Sequence, residues 1–80
     1  MATARVPRGT APMLNAMVHA QRQLHGAWLE ARNLHDARAE VLLGEAMVAT
    51  ANAIGTTFPD AFADPMLCFE EPVDVEEAGE

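Results

Sequence analysis

Residues 34–54, LHDARAEVLLGEAMVATANAI, decide the fold that this sequence predicts. At about 100° per residue, the rotation of an α-helix, the segment has two apolar faces. One face is formed by Leu34, Ala37, Val41 and Val48, and the other by Leu43, Met47 and Ile54, with Leu42 in a third direction. A helix that is apolar nearly all round is buried on several sides, and one neighbouring helix cannot cover it. The pattern therefore predicts cover from a second helix and also from a second chain.

The second helix is predicted to precede this segment, over residues 11–32. Thr10 is a suitable N-cap, and Pro12 falls in the first turn, where its missing N–H costs nothing. One side of the helix is apolar and contains Met13, Leu14, Met17, Leu24, Trp28 and Ala31. Gln21 falls inside this apolar stripe, so its amide must find a hydrogen bond once the stripe is covered.

The stretch between the two helices reads ARNLHD over residues 31–36. Asn33 can cap a new helix, and Asp36 favours the positive end of that helix. The alternative is one helix over residues 11–54, roughly 66 Å long at 1.5 Å per residue. We favour a hairpin of helices over about 11–32 and 34–54, because so long a helix usually carries a sustained heptad repeat and this one does not.

The two ends of the chain are predicted to differ from the helical domain, which covers residues 10–69. Residues 1–9 lack periodicity and contain Pro7 and Gly9, which indicates an irregular basic arm. Gly55 is suited to ending the second helix, and one or two short helical turns should follow, the first near 58–63, with residues 66–69 folding back onto the hairpin. Residues 70–80 hold six carboxylates and no cation, which predicts an extended acidic tail that either solubilises the chain or binds a basic groove.

Several kinds of chemistry are disfavoured by the composition. All five basic residues lie at or before Arg38, and a net charge of −7 would repel nucleic-acid phosphate. The chain has no Ser, Lys or Tyr, and its one cysteine, Cys68, has apolar neighbours that make a thiol inert. The three histidines lack the spacing of a zinc site. We therefore expect no enzyme activity, cofactor, metal, direct nucleic-acid contact or small-molecule substrate.

The location of the protein is inferred from two further features. The most apolar run, residues 41–54, is too short for a membrane span and contains Glu45. A single cysteine cannot form an intramolecular disulfide and gives no sign of an oxidising compartment. The sequence thus predicts a soluble, cytoplasmic protein with no membrane partner.

These observations predict a small, acidic, all-α protein-interaction module. Its hairpin should complete a bundle by dimerising or by docking on a larger protein. The expected binding residues are the large apolar ones of the helices and the acids of the tail: Trp28, Val41, Leu42, Leu43, Met47, Glu70, Glu71, Asp74, Glu76 and Glu77. One interpretation is a regulator or inhibitor of bacterial or phage type that blocks a basic, nucleic-acid-binding surface. The alternative is a minor structural subunit of a large assembly such as a virion.

Overall fold

A hairpin of two long helices dominates the fold, as predicted. The computed structural model describes residues 2–61, 67–70 and 72–79. Its elements, in chain order, are β1 (Ala2–Pro7), α1 (Ala11–Asn33), α2 (Ala37–Thr57), α3 (Leu67–Glu70) and β2 (Val73–Ala78). The break between α1 and α2 excludes the alternative of one continuous helix. Helix α3 is one of the short C-terminal helical turns that the sequence predicts.

The turn between α1 and α2 is closed by backbone hydrogen bonds. The N–H of Asp36 donates to the carbonyl of Ala31 at 3.0 Å, and the N–H of His35 donates to the carbonyl of Arg32 at 3.1 Å. This is the Schellman arrangement, which needs a left-handed residue, and His35 supplies it with φ 57°. Glycine or asparagine usually occupies that position, so the sequence did not reveal the motif.

The cap of α2 is Asp36, and the prediction of Asn33 as the cap is wrong. Asn33 still belongs to α1, because the Schellman turn takes up the two residues that follow it. The side chain of Asp36 accepts a hydrogen bond from the N–H of Ala39 at 3.0 Å. An acidic side chain at this position also meets the positive end of the helix dipole.

Replacing this cap should have a measurable effect on stability. Asp36→Ala removes the acceptor for the Ala39 N–H and should lower the free energy of unfolding by about 1 kcal/mol. Asp36→Asn keeps a capping oxygen and serves as the matched control, with a smaller loss because only the charge is removed. Urea denaturation followed by circular dichroism measures both. Equal unfolding midpoints for the wild type and Asp36→Ala would contradict the capping role.

The two ends of the chain form a sheet, so the prediction of a purely α-helical fold is wrong. Strands β1 and β2 pair in parallel, with Ala4 opposite Val75 and Arg5 opposite Glu76. The segment predicted to be an irregular arm is therefore a strand, and most of the predicted tail is its partner. Parallel strands require a long crossover connection, which the helical hairpin provides here.

Alternation along the strands explains why they form. In β1, Ala4 and Val6 are buried while Arg5 between them is exposed, and in β2 the half-buried Val73 and Val75 flank the exposed Asp74. A period of two is the pattern of a strand with one covered face. The acidic strand thus pairs with the basic N-terminal segment of its own chain, where opposite charges are neighbours across the ladder.

A tight turn joins β1 to α1. Gly9 adopts φ 86°, and the N–H of Thr10 donates to the carbonyl of Pro7 at 3.1 Å. The N–H of Gly9 donates to Glu77 Oε1 at 3.2 Å, which links this turn to β2. Thr10 is the N-cap residue, as predicted, but its hydroxyl donates to the Pro7 carbonyl and makes no cap hydrogen bond to the helix.

The core lies at the end of the hairpin where the sheet packs. Its buried members come from β1, from the sheet end of α1 and α2, and from α3: Ala4, Val6, Leu14, Val18, Ile54, Phe58 and Cys68. Residues 67–69 were predicted to fold back onto the hairpin, and the full burial of Cys68 agrees with that prediction; Met66 lies outside the described residues. This burial is also the environment that the apolar neighbours of Cys68 in the sequence indicate.

Helix α2 ends later than predicted. It continues through Gly55 to Thr57, and the N–H of the C-cap residue Phe58 donates to the carbonyl of Ile54 at 2.8 Å. Phe58 is only 3% exposed. Burying a phenylalanine stabilises the fold by about 1.5–3 kcal/mol, which exceeds the cost of about 1 kcal/mol for a glycine within a helix. Residues 59–61 form a turn and not the start of a third helix; the rest of the segment predicted to be helical, 62 and 63, lies outside the described residues.

Candidate interaction surface

In the described part of the chain, the sheet packs at the end of the hairpin away from its turn, so the region near the turn lies beyond its cover. Five of the six large apolar side chains that are exposed among the described residues lie between positions 29 and 48: Leu29, Leu34, Val41, Leu42 and Val48. They are between 41% and 76% exposed. Surface apolar residues are ordinary when scattered singly, whereas a contiguous group of them marks an interaction site.

Val41 and Val48 form the centre of this exposed surface. They are 60% and 62% exposed and lie seven residues apart on α2, so the same face of the helix carries both. Leu42 is 55% exposed but points about 100° away from Val41. Leu43 is half-buried on the side of Ile54, which packs in the core. The predicted binding residues of α2 thus fall on three sides of the helix.

Next to Val48 lies an apolar groove of about 280 Å³. It is lined by α1, α2 and α3 through Gln21, Trp28, Gly44, Met47, Val48, Ala51 and Phe69. Two predicted binding residues, Trp28 and Met47, therefore meet here. Gly44 leaves space beside the indole, since a Cβ built at this glycine would lie 3.8 Å from Trp28 Nε1.

The Trp28 and Phe69 rings that line the groove both contact the ring of His25. The His25 ring stacks with Trp28 at 6.2 Å between centroids and 15° between planes. On its other side, His25 lies 4.6 Å from the Phe69 ring, tilted by 31°. The guanidinium carbon of Arg32 is 5.5 Å from the centre of the Trp28 ring, within the range of a cation–π interaction. These contacts restrict the orientation of the indole.

Helix α3 brings Phe69 to the groove. Arg22 Nε donates to the carbonyl of Cys68 at 2.6 Å, and the side chain of Cys68 is fully buried against the core. The neighbouring Phe69 is then held beside His25 and remains partly exposed. A short helix of four residues would not be stable alone, so this hydrogen bond and the buried cysteine hold it in place.

Gln21 lies at the base of the groove and is 1% exposed. Its Nε2 donates to the carbonyl of Met47 at 3.0 Å, which joins α1 to α2. The donor half of the amide thus has the hydrogen bond that the sequence predicts. Within the part of the chain that the structure describes, Oε1 is buried and has no hydrogen-bond partner.

The acidic residues that the sequence predicts as binding residues lie on α3 and β2, whereas the predicted apolar ones lie on α1 and α2. Glu70 is exposed at the end of α3, and Asp74 and Glu76 are exposed on β2. Glu77 is exposed as well and accepts the hydrogen bond from Gly9, while Glu71 lies outside the described residues. The structure therefore divides the predicted binding residues into an apolar group on α1 and α2 and an acidic group on α3 and β2.

Five groove residues were absent from the predicted binding set: Gln21, Gly44, Val48, Ala51 and Phe69. Val48 belongs to the same apolar face as Val41, so the helical projection contained the signal that it is exposed with Val41. Phe69 carried a weaker signal, because its position beside His25 depends on how α3 packs against α1. Gly44 lines the groove because it has no side chain, which a pattern of apolar residues does not detect.

Comparison with known proteins gives no further guide to this surface. No family model, curated protein or solved structure matches the chain. None of the helices in the described parts of the chain has the length and apolar character needed to cross a membrane. The same residues contain no group of three or more His, Cys, Asp or Glu side chains that could hold a metal ion.

Proposed function

We propose that this protein is a small helical interaction module that binds a larger protein through the surface formed by Val41, Val48 and the adjoining groove. The observation that carries the proposal is the exposure of these two valines beside a groove already lined with aromatic side chains. Buried aromatic anchors in preformed pockets dominate the energetics of protein interfaces. The contacts of Trp28 and Phe69 with His25 restrict these rings in the free protein, which lowers the entropy that they lose on binding.

The charge of the protein favours a larger partner over a second copy of the chain. Two chains of net charge −7 repel each other, whereas a basic partner is attracted. Asp74 and Glu76 present exposed carboxylates on β2, and Glu70 does so on α3, although Arg5 opposite Glu76 offsets part of this charge. In this proposal the apolar surface supplies most of the affinity, and the acidic end steers the approach of a basic surface, such as a nucleic-acid-binding site that the module would then block.

A double substitution tests the apolar surface. Val41→Asp combined with Val48→Asp should weaken partner binding at least about tenfold, because two carboxylates would be desolvated at the interface. The matched control, Ala16→Asp with Ala20→Asp, adds the same charge at exposed positions of α1. Quantitative capture from the source cells should identify a protein that the control retains and the valine variant loses, and titration of that purified protein then gives the affinities.

Three outcomes decide the proposal. If no protein depends on the two valines, the interaction function is rejected. If sedimentation shows a wild-type dimer that the valine variant abolishes, the surface binds a second copy instead. If the affinity for the purified partner does not fall as the salt concentration rises, the steering role of the acidic end is rejected while the apolar surface stands.

A further inference from the structure

The buried amide of Gln21 has satisfied only half of its hydrogen-bonding capacity. Nε2 donates to Met47, whereas Oε1 has no donor among the described residues. Leaving a buried acceptor unpaired costs about 1–3 kcal/mol. A hydrophobic side chain of similar size would avoid that cost, so the unpaired oxygen at the base of an apolar groove is a specific feature that requires an explanation.

The orientation of the amide is fixed by its neighbours. If the amide were flipped, Oε1 would face the Met47 carbonyl, and two acceptors would oppose each other. The oxygen is therefore the atom that remains unpaired, and any group that satisfies it must be a donor. The other groove residues offer apolar surface, which suits a ligand that is apolar apart from a single N–H or O–H.

The volume of the groove is suited to a single large side chain of a bound protein. Pockets for drug-sized molecules enclose about 300–1,000 Å³, and this groove encloses about 280 Å³. It opens toward Val48, which is also part of the exposed surface on α2. A side chain projecting from a protein docked on Val41 and Val48 would lie next to the groove.

We propose that the partner's anchor residue is a tyrosine or a tryptophan, whose ring fills the groove and whose O–H or N–H donates to Gln21 Oε1. This inference rests on the proposed function and adds the chemistry of the anchor. Tyrosine and tryptophan are enriched among interface hot spots because each combines a large apolar ring with a polar tip. Phenylalanine would fill the same space and leave the oxygen unpaired, so Gln21 gives the groove selectivity for a donor.

Entry of the anchor requires a small rearrangement. Oε1 is closed to solvent, so a donor reaches it only when a side chain that lines the groove moves. Trp28 and Phe69 are both partly exposed and lie outside the core cluster, so a shift of either ring would leave the core intact. Since Trp28 is the only tryptophan in the chain, its indole N–H gives a single NMR signal that reports this movement.

The experiment uses amino-acid probes with and without a donor. N-acetyl-tyrosinamide, its O-methyl ether and N-acetyl-phenylalaninamide are titrated into the full chain while the Trp28 indole signal is followed. The tyrosine probe should bind about fivefold more tightly than the other two, the value of one hydrogen bond. In Gln21→Met this preference should disappear while the binding of N-acetyl-phenylalaninamide remains.

Gln23→Met is the matched control, because Gln23 is exposed on the same helix and its replacement should leave the preference unchanged. Equal affinities of the wild type for the three probes, or no saturable shift with any of them, would overturn the inference. A preference that survives in Gln21→Met would also overturn it. None of these results depends on the valine variants, so the interaction function can stand when this inference fails.

Discussion

Deletion of residues 73–80 should destabilise the protein by about 3 kcal/mol, although it removes four of the acidic residues and reduces the net charge from −7 to −3. A solvated acidic tail would give the opposite result, because removing like charges relieves repulsion. The structure predicts a loss since β2 covers one edge of β1 and packs Val73 and Val75 against the core.

The size of this effect follows from partial burial. Val73 and Val75 are half-buried, and each should contribute about 1 kcal/mol of the 1.5–3 kcal/mol assigned to a fully buried valine. Without β2, Ala4 and Val6 of β1 also lose part of their cover. A domain of this length has a total stability of about 4–12 kcal/mol, so the deletion removes a large share of it.

Urea denaturation followed by circular dichroism measures this loss. The control keeps the strand and removes only exposed charge, by combining Asp74→Asn with Glu76→Gln, and should shift the stability by no more than about 0.5 kcal/mol. An unchanged midpoint in the deletion variant would mean that the tail is passive, as its composition alone suggests. A wild-type chain that shows no cooperative transition would favour the alternative of a subunit that folds only within a large assembly.

Ile54→Ala should destabilise the protein by about 2–5 kcal/mol, while Val48→Ala should change its stability by no more than about 0.5 kcal/mol. Both residues are aliphatic and belong to α2. Ile54 is 1% exposed and packs with both the sheet and α1, so truncation leaves a cavity. Val48 is 62% exposed, so truncation removes atoms that mostly contact solvent and leaves no buried cavity.

Thermal and urea denaturation of the two variants, with Ile54→Val as an intermediate step of about 0.5–1.5 kcal/mol, test this contrast. Similar losses at positions 54 and 48 would show that the surface around Val48 is covered in solution, for example by a second copy. The comparison of the two variants therefore also tests whether the proposed binding surface is accessible to solvent.

The helical part of the fold was predictable because its signals are local. The positions of apolar residues along α2 showed that one neighbour cannot cover it, and the exposure of Val41 and Leu42 agrees with that. Thr10 and Pro12 marked the start of α1 correctly. The predicted ends of the helices were less accurate. A histidine in the left-handed conformation decides the end of α1, and the burial of Phe58 decides the end of α2.

The sheet and the groove were not predictable in the same way. Alternation of Val73 and Val75 with acids indicated an extended strand, but it gave no information about which segment would pair with it. Gln21 was known to need a hydrogen bond, whereas the pairing of only one of its two polar ends depends on where the Met47 carbonyl lies.

The sequence by itself determined which faces of the helices are apolar, because side-chain periodicity fixes that within a few residues. It also determined that the acids cluster after residue 69 and that the basic residues precede them. Only the tertiary structure decided that these two ends pair as β1 and β2, and that the sheet covers one end of the hairpin. Contacts between segments so far apart in the chain depend on which surfaces the helices bring together, and this packing leaves Val41, Val48 and the groove uncovered.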